Sequence, residues 1–148
     1  MEPRIKSHRL ESVAAILERE VDFTIKEWTR QVSLIPSLTN VLLSDEDRTG
    51  HLPQLFNDML SRMRATRETK PLVSIAAHQH GRQRFLQGYS AAMLVEESRI
   101  LEVTTFFTLH LHQDELDQNQ ALPDVLIIAD EADRQLEETM RGFMAAAA

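Results

Sequence analysis

Apolar residues recur every three or four positions through most of this chain, which is the period of an α-helix with one buried face. No segment alternates apolar and polar residues for long enough to indicate a strand. The sequence therefore predicts an all-α fold of about five helices in a single helical bundle. Globin-like helix crossings are one arrangement open to such a bundle.

The first two predicted helices occupy the N-terminal half. A long first helix should end before Pro36, because a residue preceding proline avoids helical angles. The second should start after Ser44, a favourable N-cap, and run to about Arg67. Gly50 and Pro53 indicate that its regular part starts late. The positions expected to face the core are Leu10, Ala14, Leu17, Val21, Trp28 and Val32, then Leu52, Leu55, Phe56, Met59, Leu60 and Met63.

Three further helices are predicted in the C-terminal half. Pro71 suits the first turn of the third helix, Gly88 suits its end, and Ser90 suits the N-cap of the fourth. The fifth should begin around Pro123. Its apolar repeat can pack inside a bundle or continue as a coiled coil into another domain. That repeat consists of Leu122, Val125, Ala129, Ala132, Leu136, Met140 and Phe143.

Composition narrows the class of protein. A length of 148 residues suits one domain, which we place at residues 1–144, and the alanines at 145–148 suggest a tag or a truncation scar. The absence of cysteine excludes disulfides, zinc–thiolate sites and cysteine nucleophiles. No apolar run approaches the roughly 20 residues that span a bilayer, and the N-terminus lacks a signal-peptide core. We therefore expect a cytoplasmic protein without membrane insertion.

Charge argues against a nucleic-acid partner. The formal net charge is −7, whereas affinity for nucleic acids comes mainly from neutralising phosphates. One basic cluster could meet an acidic partner or a phosphate, or could be a solvated helix end. It consists of Arg62, Arg64, Arg67 and Lys70.

The fourth predicted helix carries a carboxylate, Glu97, within its apolar stripe. An unpaired carboxylate there would raise its pKa or cost several kcal/mol in desolvation. Arg84 is the expected counter-ion, since the turn at Gly88 folds the third helix back beside the fourth, and His80 lies one turn before Arg84. These residues either form a structural polar network or a sensing site in which a small anion, a proton or a cofactor shifts helix packing.

The sequence contains no strong metal or catalytic motif. His78 and His80, like His110 and His112, are two residues apart and point in different directions on a helix, so neither pair is a chelate by itself. No metal site is predicted; His78 and His80 are the only candidate ligands, and haem ligation by one histidine is the alternative. Without a phosphate loop or a nucleophile elbow, we expect no enzyme activity.

Three segments carry a resemblance to a known family: residues 80–84 (HGRQR), 88–90 (GYS) and 94–101 (LVEESRIL). Together they resemble the N-terminal domain of the RsbT co-antagonist (RsbRD) family, which also precedes bacterial sensor histidine kinases. The resemblance implies a non-catalytic, all-helical input module, related in some members to a globin-like fold without haem. It implies a stressosome-type or kinase context, with a histidine kinase or STAS-type output domain. Its matching polar positions are His80, Arg84, Glu97 and Arg99.

The resulting hypothesis is a signal-sensing domain that dimerises through its first or last helix and passes a signal through its C-terminal helix. Trp28 and Val32 on the first helix, and Leu136 and Met140 on the last, are the expected interface residues. The rival hypothesis is a haem- or metal-binding globin-like sensor. A scaffold without any ligand is a third possibility.

Overall fold

The computed structural model describes residues 10–65 and 73–148, which form eight α-helical segments and one 3₁₀ turn. The only extended pairing in these two ranges is a single bridge between Glu11 and Leu116. The all-α prediction is confirmed. No helix within the described part of the chain is long and apolar enough to cross a membrane. The helices are α1 (Val13–Arg19), α2 (Val21–Val32), α3 (Pro36–Thr39), α4 (Asp45–Thr49), α5 (Leu52–Arg64), α6 (Ile75–Leu86), α7 (Ala91–Leu111) and α8 (Gln118–Ala147).

The prediction of about five helices is too low, because two predicted helices are each divided and the short α3 was not predicted. The first breaks at Glu20, whose backbone leaves helical geometry at φ −105° and ψ 18°, so α1 and α2 form a kinked pair. Counting that pair once gives seven helices over the described residues. The second divides at Gly50 and His51, just before Pro53, which has no backbone N–H to continue a ladder.

Most predicted helix boundaries follow local capping chemistry. Ser44 and Ser90 are N-caps as predicted, each accepting a hydrogen bond from a backbone N–H of the first turn. Gly88 adopts φ 92° after α6, which explains why glycine is suited to that end. The start of α8 was wrongly predicted: the Asp117 carboxylate caps it, and Pro123 lies inside the helix. Pro71 is outside the described residues, and α6 begins after Ser74, another N-cap.

Two hydrophobic clusters stabilise the bundle. The larger joins α2, α5, α6 and α7 around Trp28, which has no solvent exposure. The smaller joins α1, α5, α7 and α8 around Ile16 and Ile128, both also fully buried. The predicted core positions of α5 are buried, apart from the half-buried Met63.

Helices α6 and α8 cross with their backbones in direct contact. A Cβ atom on Gly81 would lie 1.8 Å from the Thr139 carbonyl oxygen, and one on Gly142 would lie 2.0 Å from the His78 carbonyl oxygen. Only glycine fits at these two positions. The crossing fixes α8 against α6, and it thereby places α8 beside the polar groups carried by α6 and α7.

Candidate functional site

A buried carboxylate, Glu97 of α7, is the centre of a polar cluster. Only 3% of the residue is exposed. Its Oε1 atom lies 3.1 Å from Arg84 Nε and 3.5 Å from His80 Nε2, both on α6. His51 Nε2 is 4.0 Å from the same oxygen. We call His51, His80, Arg84 and Glu97 the Glu97 cluster.

Arg84 is held by more acceptors than Glu97 alone. The side chain is fully buried and donates to the carbonyl oxygens of Asp47 and Arg48 at 3.2 and 2.6 Å. It also donates to Gln87 Oε1 at 2.7 Å. The guanidinium therefore connects the end of α4 to α6 and α7. Its positive charge is balanced by the Glu97 carboxylate and by the dipoles of the three other acceptors.

A second buried arginine, Arg48 of α4, extends the network. It donates to the Tyr89 hydroxyl at 3.0 Å and to the Val41 carbonyl oxygen at 2.8 Å. The Tyr89 ring lies beneath the Arg84 guanidinium, 4.9 Å from its central carbon, in cation–π geometry. Burial raises the pKa of Tyr89, so the phenol is neutral at physiological pH. The network thus connects the α3–α4 region to the turn between α6 and α7.

The two histidines of the cluster stack face to face. Their ring centroids are 3.5 Å apart and their planes differ by 9°. His51 lies at the junction of α4 and α5, where the backbone keeps near-helical angles, and the Trp28 ring packs against it edge-on at 6.2 Å. His80 comes from α6, one turn before Arg84. The stack therefore joins two elements that are distant in sequence.

Burial and charge set the protonation states of this cluster. Burial lowers the pKa of His51 well below its usual 6.5, and the neighbouring His80 and Arg84 lower it further. Burial also lowers the pKa of His80, although contact with Glu97 opposes that shift. For Glu97, burial acts to raise the pKa, but the His80 contact and the Arg84 charge more than offset it, so the pKa is lowered. At neutral pH the cluster holds two neutral imidazoles and one ionised carboxylate.

An apolar groove between α7 and α8 leads to the Glu97 cluster. Its cavity volume is about 40 Å³, which is room for a few water molecules or one small ion. Trp28, His51, His80 and Glu97 line its inner end. Its walls are mainly apolar and consist of Leu52, Leu55, Met59, Leu94, Leu101, Ile128, Ala132 and Leu136.

A polar depression lies on the other side of the histidine stack. It is lined by His51, His80 and Arg84, together with the acidic residues Glu46 and Asp47 of α4. The histidine pair therefore separates an apolar groove from a polar surface depression. Small ions and protons can therefore reach the histidines from the polar depression, and apolar groups can reach them from the groove.

Three of the four predicted polar residues come together in the structure. His80, Arg84 and Glu97 are in contact, with the distances given above. Arg99 is exposed and does not join them, because it lies two positions from Glu97 on a helix and points away from the cluster.

Other predicted site residues have different environments. Trp28 and Val32 are fully buried in the core, so the prediction that they form an interface is wrong. Leu136 and Met140 are half-buried; Leu136 lines the groove, and Met140 packs on the larger core cluster. His78 contacts Glu138 through Nδ1 at 2.8 Å and points away from His80.

The structure describes part of the predicted basic cluster and both histidines at the end of α7. Arg62 lies 3.4 Å from Asp130, and Arg64 contacts Glu18, so both pair within the chain. Arg67 and Lys70 lie outside the described residues. His110 is exposed at the end of α7, and His112 contacts Glu20 and Glu115.

Sequence reasoning missed His51, Arg48 and Tyr89. The available signal for His51 was its place in the sequence GHLP, at the junction between two helices. Tyr89 lies between Gly88 and Ser90 in the turn that was correctly located. Nothing local marks Arg48 as buried, because its environment is created by the fold.

Comparisons with protein-family models, curated protein sequences and solved structures gave no significant match to this chain. The resemblance to the RsbRD family therefore stays a prediction.

Proposed function

We propose that the chain is a non-catalytic, ligand-responsive sensory domain whose C-terminal helix passes the signal to an output domain, for which a histidine kinase or a STAS-type domain is the proposed receiver. The single observation that carries the proposal is the position of the Glu97 cluster at the inner end of a groove whose outer wall is α8. An occupant of the groove would contact the cluster and α8 together.

The packing of α8 supports this role. The buried face of α8 has few apolar residues and carries three polar ones, Glu131, Gln135 and Thr139. Burying polar side chains contributes little to the stability of helix packing. The Gly81 and Gly142 contacts hold the C-terminal half of α8 against α6. An occupant of the groove would therefore displace mainly the part of α8 that lines it, between Ile128 and Leu136, relative to α7.

Groove occupancy can be imitated by a larger side chain. Because the chain has no cysteine, cysteines at the exposed Val103 and Glu137 can carry spin labels that report the separation of α7 and α8. Ala132→Phe, which fills the groove, should shift this distance distribution by a few ångströms. Ala145→Phe, at an exposed position on the same helix, should leave it unchanged. Identical distributions for parent and Ala132→Phe would contradict the proposal; Ala132→Met provides a milder variant.

Dimerisation is the second part of the proposal. With Trp28 buried, the last helix is favoured over the first, since Leu122 and Leu126 of α8 are 69% and 64% exposed. Light scattering should show a homodimer, and Leu126→Glu should produce a monomer. Leu42→Glu is the matched control, because Leu42 is 92% exposed and lies outside α8. A monomeric parent at high concentration would refute this part.

The rival hypothesis, a haem sensor, has a direct test. Haemin bound through His80 would give a strong Soret band that His80→Gln removes. We expect no such band, because Trp28, Leu94 and Ile128 fill the groove around the histidines with side chains that have almost no exposure.

A further inference from the structure

Three side chains of the Glu97 cluster have the donor set of a transition-metal site. His51, His80 and Glu97 each offer one ligand atom, and these atoms lie within 4.8 Å of one another. Two imidazoles and one carboxylate bind zinc in hydrolases and ferrous iron in non-haem oxygenases. The three residues come from different elements: the α4–α5 junction, α6 and α7.

The spacing is close to that of a bound metal. Ligand distances of about 2.1 Å place neighbouring ligand atoms about 3.0 to 3.4 Å apart. His80 Nε2 is already 3.5 Å from Glu97 Oε1, and His51 Nε2 is 4.0 Å from it. Contraction by less than about 1 Å is enough for these two pairs, and the ligand atoms of the two histidines lie within 4.8 Å of one another. The imidazoles must also turn out of their parallel stack, because metal ligation requires their in-plane lone pairs to converge.

The charge of Arg84 is compatible with a cation nearby. Its guanidinium has three acceptors besides Glu97: two backbone carbonyl oxygens and Gln87 Oε1. Glu97 can therefore be shared between Arg84 and a metal without stranding the arginine. In addition, Glu97 Oε2 is buried and forms no hydrogen bond of good geometry with the described residues, although the nearby Tyr89 hydroxyl helps to lower the pKa of this carboxyl group.

The apolar groove lies on one side of the three ligands and the polar depression on the other. A metal held here would have its remaining coordination positions directed toward these spaces, as in sites that bind an exogenous ligand.

We propose that His51, His80 and Glu97 form a three-ligand site for a divalent transition metal, zinc or ferrous iron. This proposal rests on the proposed sensory function for its biological role, and it adds to that function the class of ligand that is sensed. The metal, or a small molecule bound to it from the groove, is then the occupant that acts on α8.

The test uses the full chain prepared without a histidine tag, treated with EDTA and dialysed, then titrated with Co²⁺. Visible d–d bands should grow to saturation at one Co²⁺ per chain, and added Zn²⁺ should abolish them. His51→Gln and His80→Gln should each weaken Co²⁺ binding by at least about 100-fold. Circular dichroism should show that both variants stay helical, since neither substitution strands the Arg84–Glu97 pair.

His112→Gln is the matched control, because His112 also lies near two carboxylates, Glu20 and Glu115, but is partly exposed. It should bind Co²⁺ like the parent. Absence of Co²⁺ bands, or Co²⁺ binding that is as tight in His51→Gln or His80→Gln as in the parent, would overturn the metal site. The proposed sensory function is judged separately, by the spin-label distances, which involve no metal.

Discussion

Two buried glutamates, Glu97 on α7 and Glu131 on α8, show how differently one side chain behaves in two parts of this bundle. They are 3% and 4% exposed. Burial acts to raise the pKa of Glu97, but the His80 contact and the charge of Arg84 more than offset it, so the pKa is lowered. Burial raises the pKa of Glu131, and its partners do not offset that shift.

The difference lies in the partners. Arg84 donates to Glu97 at 3.1 Å, whereas the nearest guanidinium nitrogen to Glu131 is Arg62 Nε at 3.9 Å. Gln135 donates to Glu131 at a long 3.4 Å. Arg62 Nε is itself buried without a hydrogen-bond partner within the described ranges. The partners of each carboxylate, rather than burial alone, therefore decide in which direction its pKa shifts.

The largest effect should come from Arg84→Leu, which leaves the Glu97 carboxylate buried without a guanidinium. We expect a loss of about 3 to 5 kcal/mol in the free energy of unfolding. Urea denaturation measures it. Arg82→Leu, an exposed position on the same helix, should change stability by less than about 0.5 kcal/mol. Equal effects of the two substitutions would show that Arg84 is not buried.

Glu97→Ala should cost less than the loss of Arg84, because the arginine keeps three other acceptors. We expect about 2 to 3 kcal/mol, the range of a charged hydrogen bond. Glu137→Ala removes an exposed ion pair with Arg141 and should cost under about 0.5 kcal/mol. If Glu97→Ala were as mild as Glu137→Ala, the partner-based explanation would fail.

The pH dependence of stability should reflect the neutral histidines. His51 and His80 have a lowered pKa in the folded state, so the unfolded chain binds more protons just below pH 6.5. Stability is therefore highest above pH 6.5 and falls with acidification, by at most about 1.4 kcal/mol per pH unit for each proton. His51→Gln should reduce this slope between pH 6.5 and pH 5. An unchanged slope would show that His51 is not the group that titrates.

The smallest effect should come from Glu131→Gln. A raised pKa of Glu131 means that its ionised form disfavours folding, and this cost grows as pH rises above 4.5. At pH 7 the variant should equal the parent or exceed its stability by up to about 1 kcal/mol. Below pH 4.5 the two should converge. A variant that is clearly less stable at pH 7 would mean that Arg62 compensates the charge.

The sequence predicts those features that depend on local chemistry. Ser44, Gly88 and Ser90 bound helices because a hydroxyl or a positive φ acts within one turn. Glu97 was recognisable because a charge in an apolar stripe needs a partner, and Arg84 was within reach across a known turn. This reasoning located three of the four members of the Glu97 cluster.

The features that were missed depend on tertiary structure. His51 joins the cluster only because the packing of α5 against α6 places it beside His80. On α8 the apolar repeat favoured a face through Ala132 and Leu136, whereas the buried face is rotated to Gln135 and Thr139. The glycine crossing with α6 sets that rotation, and a helical period alone carries no information about it.

The most direct test of the account is a ¹³C NMR titration of the glutamate side-chain carboxyl groups, with Glu97→Gln and Glu131→Gln assigning the two signals. The account predicts that Glu97 titrates below its ordinary value of 4.5 and Glu131 above it. A reversed order, or two signals that titrate together, would contradict the claim that Arg84 and His80 keep a buried Glu97 ionised at the end of the groove.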